Sequence, residues 1–374
     1  MVKLPTRLIR LLALVGVVAG WPATTAAQRF AAIGDYGFAG VPARDVAQLV
    51  ESWNPDFVIT LGDNNYDEGE AGTIDANIGQ YYHRFIGAYR GRYGAGVPNN
   101  RFFPSLGNHD LNTDYGRPYF DYFTLPGNER YYEFARGQVR CFVLNSDPNE
   151  PDGTGATTRQ AQWLRARLAA ASEPWKLVYF HHSPYSSGHH GGVTLMRWPF
   201  RAWGASVVLT GHDHHYERLV QDGLLYVVNG LGGRSIYPVK NTAPGSTFHY
   251  NADYGAQLLD ASADSLRLRF FARSGQLIDA FTLRKGLSVE PVLESVYPTP
   301  VLVMARVAFS VPSRDAIEIR VLDVAGREVA RLFKGSLPAG HHEVSWSRAG
   351  LLPGPYFVQL LSRGFAPVMR TVVL

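Results

Sequence analysis

Cysteine is almost absent. Cys141 is the single one in 374 residues, so no disulfide can form within the chain and stability has to come from burial in large cores. It lies in Val139-Arg140-Cys141-Phe142-Val143-Leu144, a strand-like run in which an inert buried thiol is expected rather than a nucleophile. Long apolar runs are equally scarce. The one near the start, Leu11 to Ala19, falls short of the roughly 20 residues a bilayer-spanning helix needs, and no later stretch approaches that length. Basic tracts are missing as well. A formal net charge of +4 spread along the chain leaves no electrostatic footprint for nucleic acid or a membrane surface. There is no internal repeat, which excludes a solenoid, and no low-complexity tract.

What is present begins with an export signal. Lys3, Arg7 and Arg10 precede and enter the apolar run, and the small residues Thr25-Ala26-Ala27 stand before Gln28. A positive start, an apolar stretch and a small-residue cleavage site form the layout of a secretory signal peptide, expected to span residues 1–27. Its removal takes three cations and no acid, which lowers the net charge from +4 to +1. The mature protein is expected to be exported and soluble, secreted or attached to the cell surface.

From Phe30 to about Leu283, short apolar runs alternate with helical stretches. Phe30 to Ile33 and Phe57 to Leu61 read as buried strands. Between them Pro42, Val46, Leu49, Val50 and Trp53 form an amphipathic helix with proline in its first turn. This βαβ unit makes the two strands parallel. Further strands are expected at Phe102 to Leu106, Val139 to Leu144, Leu177 to Phe180, Val207 to Thr210 and Leu225 to Val228. A helix is expected at Arg159 to Ala171, and antiparallel strands at Leu266 to Phe271 and Leu277 to Leu283 close the unit. The expected architecture over 28–285 is an α/β layered sandwich of mixed sheets flanked by helices. After a linker at 286–299, residues 300–374 lose helical periodicity. Val301 to Phe309, Ile317 to Asp323 and Tyr356 to Leu361 are separated by glycine and proline turns, the pattern of a second, smaller all-β, Ig-like domain.

The chemistry lies in glycine turns that follow the strands. Gly34-Asp35 and Gly62-Asp63-Asn64-Asn65-Tyr66 place carboxylates above neighbouring parallel strands, at the edge where α/β sheets bind ligands. A dinuclear centre requires one carboxylate shared by both ions, and Asp63 is the candidate. Eight of the 12 histidines fall between His109 and His215, a density that scattered core or surface histidines would not give. Gly107-Asn108-His109-Asp110 offers an amide oxygen from Asn108 and an imidazole at His109 that can face a substrate. In Gly211-His212-Asp213-His214 the two histidines share one face if extended, or splay around a turn so that each reaches a different ion. Tyr66 offers a phenolate, a hard anionic ligand suited to trivalent iron.

These blocks, in this order, resemble the purple acid phosphatase branch of the metallophosphoesterases, closest to the tartrate-resistant type. That pattern, G-D-x-G, G-D-x-x-Y, G-N-H-[DE], V-x-x-H and G-H-x-H, is matched by Gly34 to Gly37, Gly62 to Tyr66, Gly107 to Asp110, Val178 to His181 and Gly211 to His214. His215-Tyr216-Glu217-Arg218 continues the last block. The resemblance implies two metal ions, Fe(III) bound by Asp35, Asp63, Tyr66 and His214, and a divalent Fe, Zn or Mn bound by Asp63, Asn108, His181 and His212. It also implies that His109 and His190 stand outside the metals near the scissile ester. Two neighbouring pairs stay open: His181 or His182 as the ligand, and His189 or His190 as the outer histidine. Counting from Val178 and from His181 favours His181 and His190.

The implied activity is phosphoester hydrolysis on a small phosphorylated substrate, most simply that of an acid phosphatase. Metal-generated hydroxide attacks phosphorus in line with the leaving group, and His109 or His190 supplies a proton or hydrogen bond. A phosphodiesterase or nucleotidase would use the same ligands. A noncatalytic surface protein is the rival of another class. Tyr297-Pro298-Thr299-Pro300, Val321 to Val329, Leu337 to His342 and Gly350-Leu351 with Tyr356 resemble the C-terminal sorting domain of type IX secretion substrates. That resemblance implies the secretion machinery as a partner.

Overall fold

The computed structural model describes residues 27–374 apart from 240, 313 and 364. The segment read as a signal peptide therefore lies outside the described residues, save for Ala27. Two mixed sheets organise the first part of the chain. The first has the order β13-β12-β11-β1-β2-β3, built from β1 (Gln28–Ile33), β2 (Phe57–Thr60), β3 (Phe102–Pro104), β11 (Gly255–Ala261), β12 (Ser265–Ala272) and β13 (Leu277–Arg284). The second has the order β10-β8-β9-β7-β6-β5-β4. Its strands are β4 (Tyr132–Arg136), β5 (Val139–Val143), β6 (Trp175–Phe180), β7 (Val207–Thr210), β8 (Tyr216–Gln221), β9 (Leu224–Asn229) and β10 (Ser246–Tyr250).

Each sheet contains a run of parallel strands, β1, β2 and β3 along one side of the first and β5, β6, β7 and β9 in the middle of the second. Buried on both faces, they read as continuous apolar runs such as Phe57-Val58-Ile59 and Val207-Val208-Leu209. The pleat then divides each strand between two cores. Leu177 and Tyr179 of β6 join the core shared with the first sheet. Val178 and Phe180 point the other way, to Leu164 and Leu168 of a 12-residue helix, Arg159–Ala170. On the far side of the first sheet the helix Val41–Ser52 packs Val46 and Val50 inward, each contributing about 1.5–3 kcal/mol by burial. The result is a helix–sheet–sheet–helix stack, the layered α/β architecture expected.

The remaining strands form two further sheets around their own core, which includes Val307, Phe309, Ile319, Trp346 and Val358. One contains β14 (Val292–Tyr297), β15 (Met304–Val311) and β18 (Gly340–Ser347). The other contains β16 (Asp315–Leu322), β17 (Glu328–Leu337), β19 (Pro355–Ser362) and β20 (Val368–Val373). The linker expected at 286–299 is corrected here, since it holds β14, paired antiparallel with β15. A register shift between Leu293 and Ser295 puts the buried Leu293 and Val296 three residues apart, so the period-2 alternation that marks a strand is broken. Val301 to Val303, expected as strand, precede β15 instead. Among the described residues no helix is long and apolar enough to cross a membrane.

Candidate metal centre

The carboxyl ends of the parallel strands in both sheets meet at one place. The sequence suggested a single sheet edge, but two facing sheets supply the groups. Asp35, Asp63 and Asn108 follow β1, β2 and β3, while His181, His212 and His214 follow β6 and β7. Asp35, Asp63 and His212 have φ of 55°, 52° and 70°, in the sparsely populated left-handed region, where each residue costs of order 1–3 kcal/mol. Backbone bonds offset this: Asp35 N–H donates to Gly62 O (3.1 Å), and His212 N–H donates to Asp35 Oδ2 (2.9 Å). Two glycines are required by contact. A Cβ at Gly62, whose φ is +89°, would run into the His181 ring, and one at Gly107 would collide with Asp63.

One half of the centre gathers around Tyr66. Its hydroxyl donates to Asp63 Oδ2 (2.8 Å) and lies 3.1 Å from Asp35 Oδ1 and 3.2 Å from His214 Nε2. His214 Nδ1 meets Ser235 Oγ at 2.5 Å, and its ring stacks on Tyr237 with centroids 4.2 Å apart. The other half gathers around His181. Its Nδ1 faces Leu61 O at 2.8 Å, an acceptor only, so Nδ1 carries a proton and Nε2 is the position that takes either a second proton or a cation. That Nε2 faces Asn108 Oδ1 (3.1 Å), Asp63 Oδ2 (3.3 Å) and His212 Nδ1 (3.1 Å). Oxygen and nitrogen ligand atoms converging on one point are what a cation site requires. The histidine pair of the last motif is splayed, His212 toward one half and His214 toward the other.

Electrostatics agree with this geometry. Asp35 and Asp63 are 0% and 2% exposed, and buried carboxylates need positive charge nearby. Burial alone would raise Asp63. The adjacent His181 charge and hydrogen bond, with help from His109 and Tyr66, instead hold it well below the usual carboxylate range. Burial should lower His181, yet Asp63 and Asp35 push it up to about 10. The proton on His181 thus occupies the place where a metal cation would sit. Burial and the charges of Asp35 and Asp63 raise the Tyr66 phenol well above its ordinary value, so only a strongly charged ion could hold it as phenolate. Burial and the Asp63 charge raise Asp110 to about 7, against hydrogen bonds from Gly107 and Asn64.

The structure brings all seven expected ligands together. Of the adjacent histidines, His181 meets Asp63 and Asn108. His182 turns to Ser146 Oγ (2.9 Å), and burial and the His181 charge lower it to about 3. The nitrogens of His181, His182 and His212 nevertheless lie within 4.8 Å of one another. His109 sits on the Tyr66 side, with ring centroids 4.4 Å apart and Nδ1 at 2.6 Å from Asp67 O. His190 packs against His212 with ring centroids 4.2 Å apart, and both His189 and His190 lie 5.6 Å from the Tyr237 ring. Burial lowers His190 as well. Ser235, Tyr237 and Arg234, whose guanidinium lies over the Tyr66 ring at 5.3 Å, escaped the sequence reading. Their one signal was the glycine-rich run Asn229-Gly230 to Gly233 after β9.

The fold and site define a metal-dependent phosphoric ester hydrolase, and the chain belongs to the calcineurin-like phosphoesterase family, whose model matches residues 28–216. Among individual proteins it is 29% identical over 250 residues to tartrate-resistant acid phosphatase type 5 of Rattus norvegicus, covering 56% of this chain and 73% of that protein. It is 24% identical over 299 residues to purple acid phosphatase 17 of Arabidopsis thaliana, covering 69% and 85%. Among solved structures, the purple acid phosphatase PPD1 from yellow lupin superposes with a TM-score of 0.56 at 20% identity, covering 71% of this chain and 55% of that one. GAP50, the anchor in the inner membrane complex of Plasmodium, gives 0.56 at 16% identity, covering 69% and 89%. The fold is therefore shared with an anchor as well as with phosphatases, and catalysis has to be argued from side chains. The purple acid phosphatase relatives imply a dinuclear metal centre.

Proposed function

We propose that the protein is an exported phosphomonoesterase of acid phosphatase type. The observation that carries this reading is the convergence of Asp35, Asp63, Tyr66, Asn108, His181, His212 and His214 in two halves that share Asp63. The residues fit two ions. Asp35, Tyr66 and His214 would hold Fe(III), Asn108, His181 and His212 a divalent Fe, Zn or Mn, and Asp63 would bridge them. Such a pair supplies a hydroxide nucleophile in acid and a Lewis acid for phosphoryl oxygens.

The protein's own groups do the rest. Leu61 O and Ser235 Oγ fix the rings of His181 and His214, the arrangement that orients ligating histidines. His109 Nδ1–H donates to Asp67 O, so the proton His109 would offer the substrate is one carried on Nε2. His109 and His190 stand on opposite halves, beside Tyr66 and His212 respectively. They are the candidates to give the departing oxygen its proton or hydrogen bond.

The test is hydrolysis of p-nitrophenyl phosphate and bis(p-nitrophenyl) phosphate by one preparation of known metal content. Turnover of the monoester with two ions per chain is expected. Preference for the diester would establish a phosphodiesterase, and no turnover by the two-metal protein would establish a noncatalytic surface protein. Residues 28–285 form the catalytic unit in this reading, and the β-rich unit after it is a type IX sorting domain. Fusion of residues 1–27 before and 292–374 after a passenger should release it or place it on the surface of a bacterium that has that machinery and leave it within the envelope of one that lacks it.

A further inference from the structure

Between the two histidines of the last metal block stands Asp213, fully buried, with a carboxylate that reaches neither half of the centre by any contact described above. It turns instead to the loop 186–191. Asp213 Oδ2 accepts from Ser186 Oγ (2.5 Å) and from Gly191 N–H (3.2 Å), and Oδ1 accepts from His190 N–H (2.8 Å). Gly188 crosses so close to the carboxylate that a Cβ there would collide with it. A second buried acid, Glu217, fixes Ser187 of the same loop through its backbone N–H (2.8 Å) and hydroxyl, but it does not reach His190.

We propose that Asp213 is a positioning residue for His190, tying the loop that carries this exposed histidine to the turn that carries His212 and His214. A His190 ring on an otherwise free loop would sample many orientations. Three hydrogen bonds to one buried carboxylate confine its backbone and keep its ring 4.2 Å from His212. The inference rests on the phosphomonoesterase reading, in which His190 serves the leaving group. A water oxygen bonds to phosphorus as the ester P–O bond breaks, and the departing oxygen keeps that electron pair and takes up a proton. Alkyl alkoxides need this help far more than nitrophenolate does. Loss of positioning should therefore fall selectively on poor leaving groups, which general damage to the site would not do.

Asp213→Asn keeps the shape but turns an NH2 group toward donors. Its kcat for an alkyl phosphate should fall about 10²-fold, the cost of a misplaced group of this kind, while that for p-nitrophenyl phosphate changes about threefold at most. Both ions should be retained by direct metal analysis. His190→Ala should show the same bias, and Asp213→Asn/His190→Ala should be no worse than His190→Ala alone. Ser186→Ala, which removes one of the three bonds, should show a smaller loss of the same kind and serves if Asp213→Asn does not fold. Equal losses on both esters, multiplying losses in the double variant, or loss of metal in step with activity would overturn the proposal. A two-metal wild-type protein inactive on every monoester would overturn the functional reading itself, and this inference with it.

Discussion

Asp63 donates nothing and accepts from almost everything around it. Tyr66 O–H, His109 N–H and the His181 ring all approach its two oxygens. Replacing it by alanine leaves His181 and Tyr66 without their common acceptor and both halves without their shared anion. Asp63→Ala should lose both ions by metal analysis and at least about 10³-fold in kcat, the scale of several kcal/mol of transition-state stabilisation. Tyr66 gives a separate readout. If it binds ferric iron as phenolate, iron-loaded protein absorbs visible light, and Tyr66→Phe should lose that band while retaining iron. Asp35 and Asp63 were legible because each follows a glycine at the end of an apolar run. His181 and His182 were not separable by chemistry, because neighbours at a strand end differ only in the direction they face, which the opposite sheet decides. Ser235 and Tyr237 carry no spacing signal, since they act from a loop whose path is set by backbone bonds such as Arg234 N–H to Asp35 O (3.1 Å).

The parallel strands and their flanking helices were readable because burial on two faces writes long apolar runs, and burial on one writes a helical stripe. β14 was not, because its bulge moves the apolar residues out of alternation. The turns after the strands make their own prediction. Gly62→Ala adds a methyl group against the His181 ring at a φ of +89°, so it should destabilise by about 1–3 kcal/mol in denaturant melts and weaken metal binding as well. Leu164, fully buried between its helix and the second sheet, offers a contrast. Leu164→Ala should cost about 2–5 kcal/mol while leaving the metal content of the folded fraction unchanged.

The whole molecule is held without covalent cross-links. Cys141 is completely buried, and that burial pushes its thiol well above its ordinary value. A thiol reagent should leave native protein unmodified and label one group per chain after unfolding, and reductant should not alter the melting temperature. The two sheets share the candidate metal centre. Asp35, Asp63, Tyr66 and Asn108 come from loops of the first, and His181, His212 and His214 from loops of the second. Neither half of the centre is complete within one sheet. When the ribosome has made the first 180 residues, Asp35, Asp63, Tyr66 and Asn108 already exist, yet no imidazole ligand from the second sheet has appeared. Either half can close only once the histidines of the second sheet have emerged and the sheets have met, so an ion held there as proposed would cling tightly only to a chain close to its final shape.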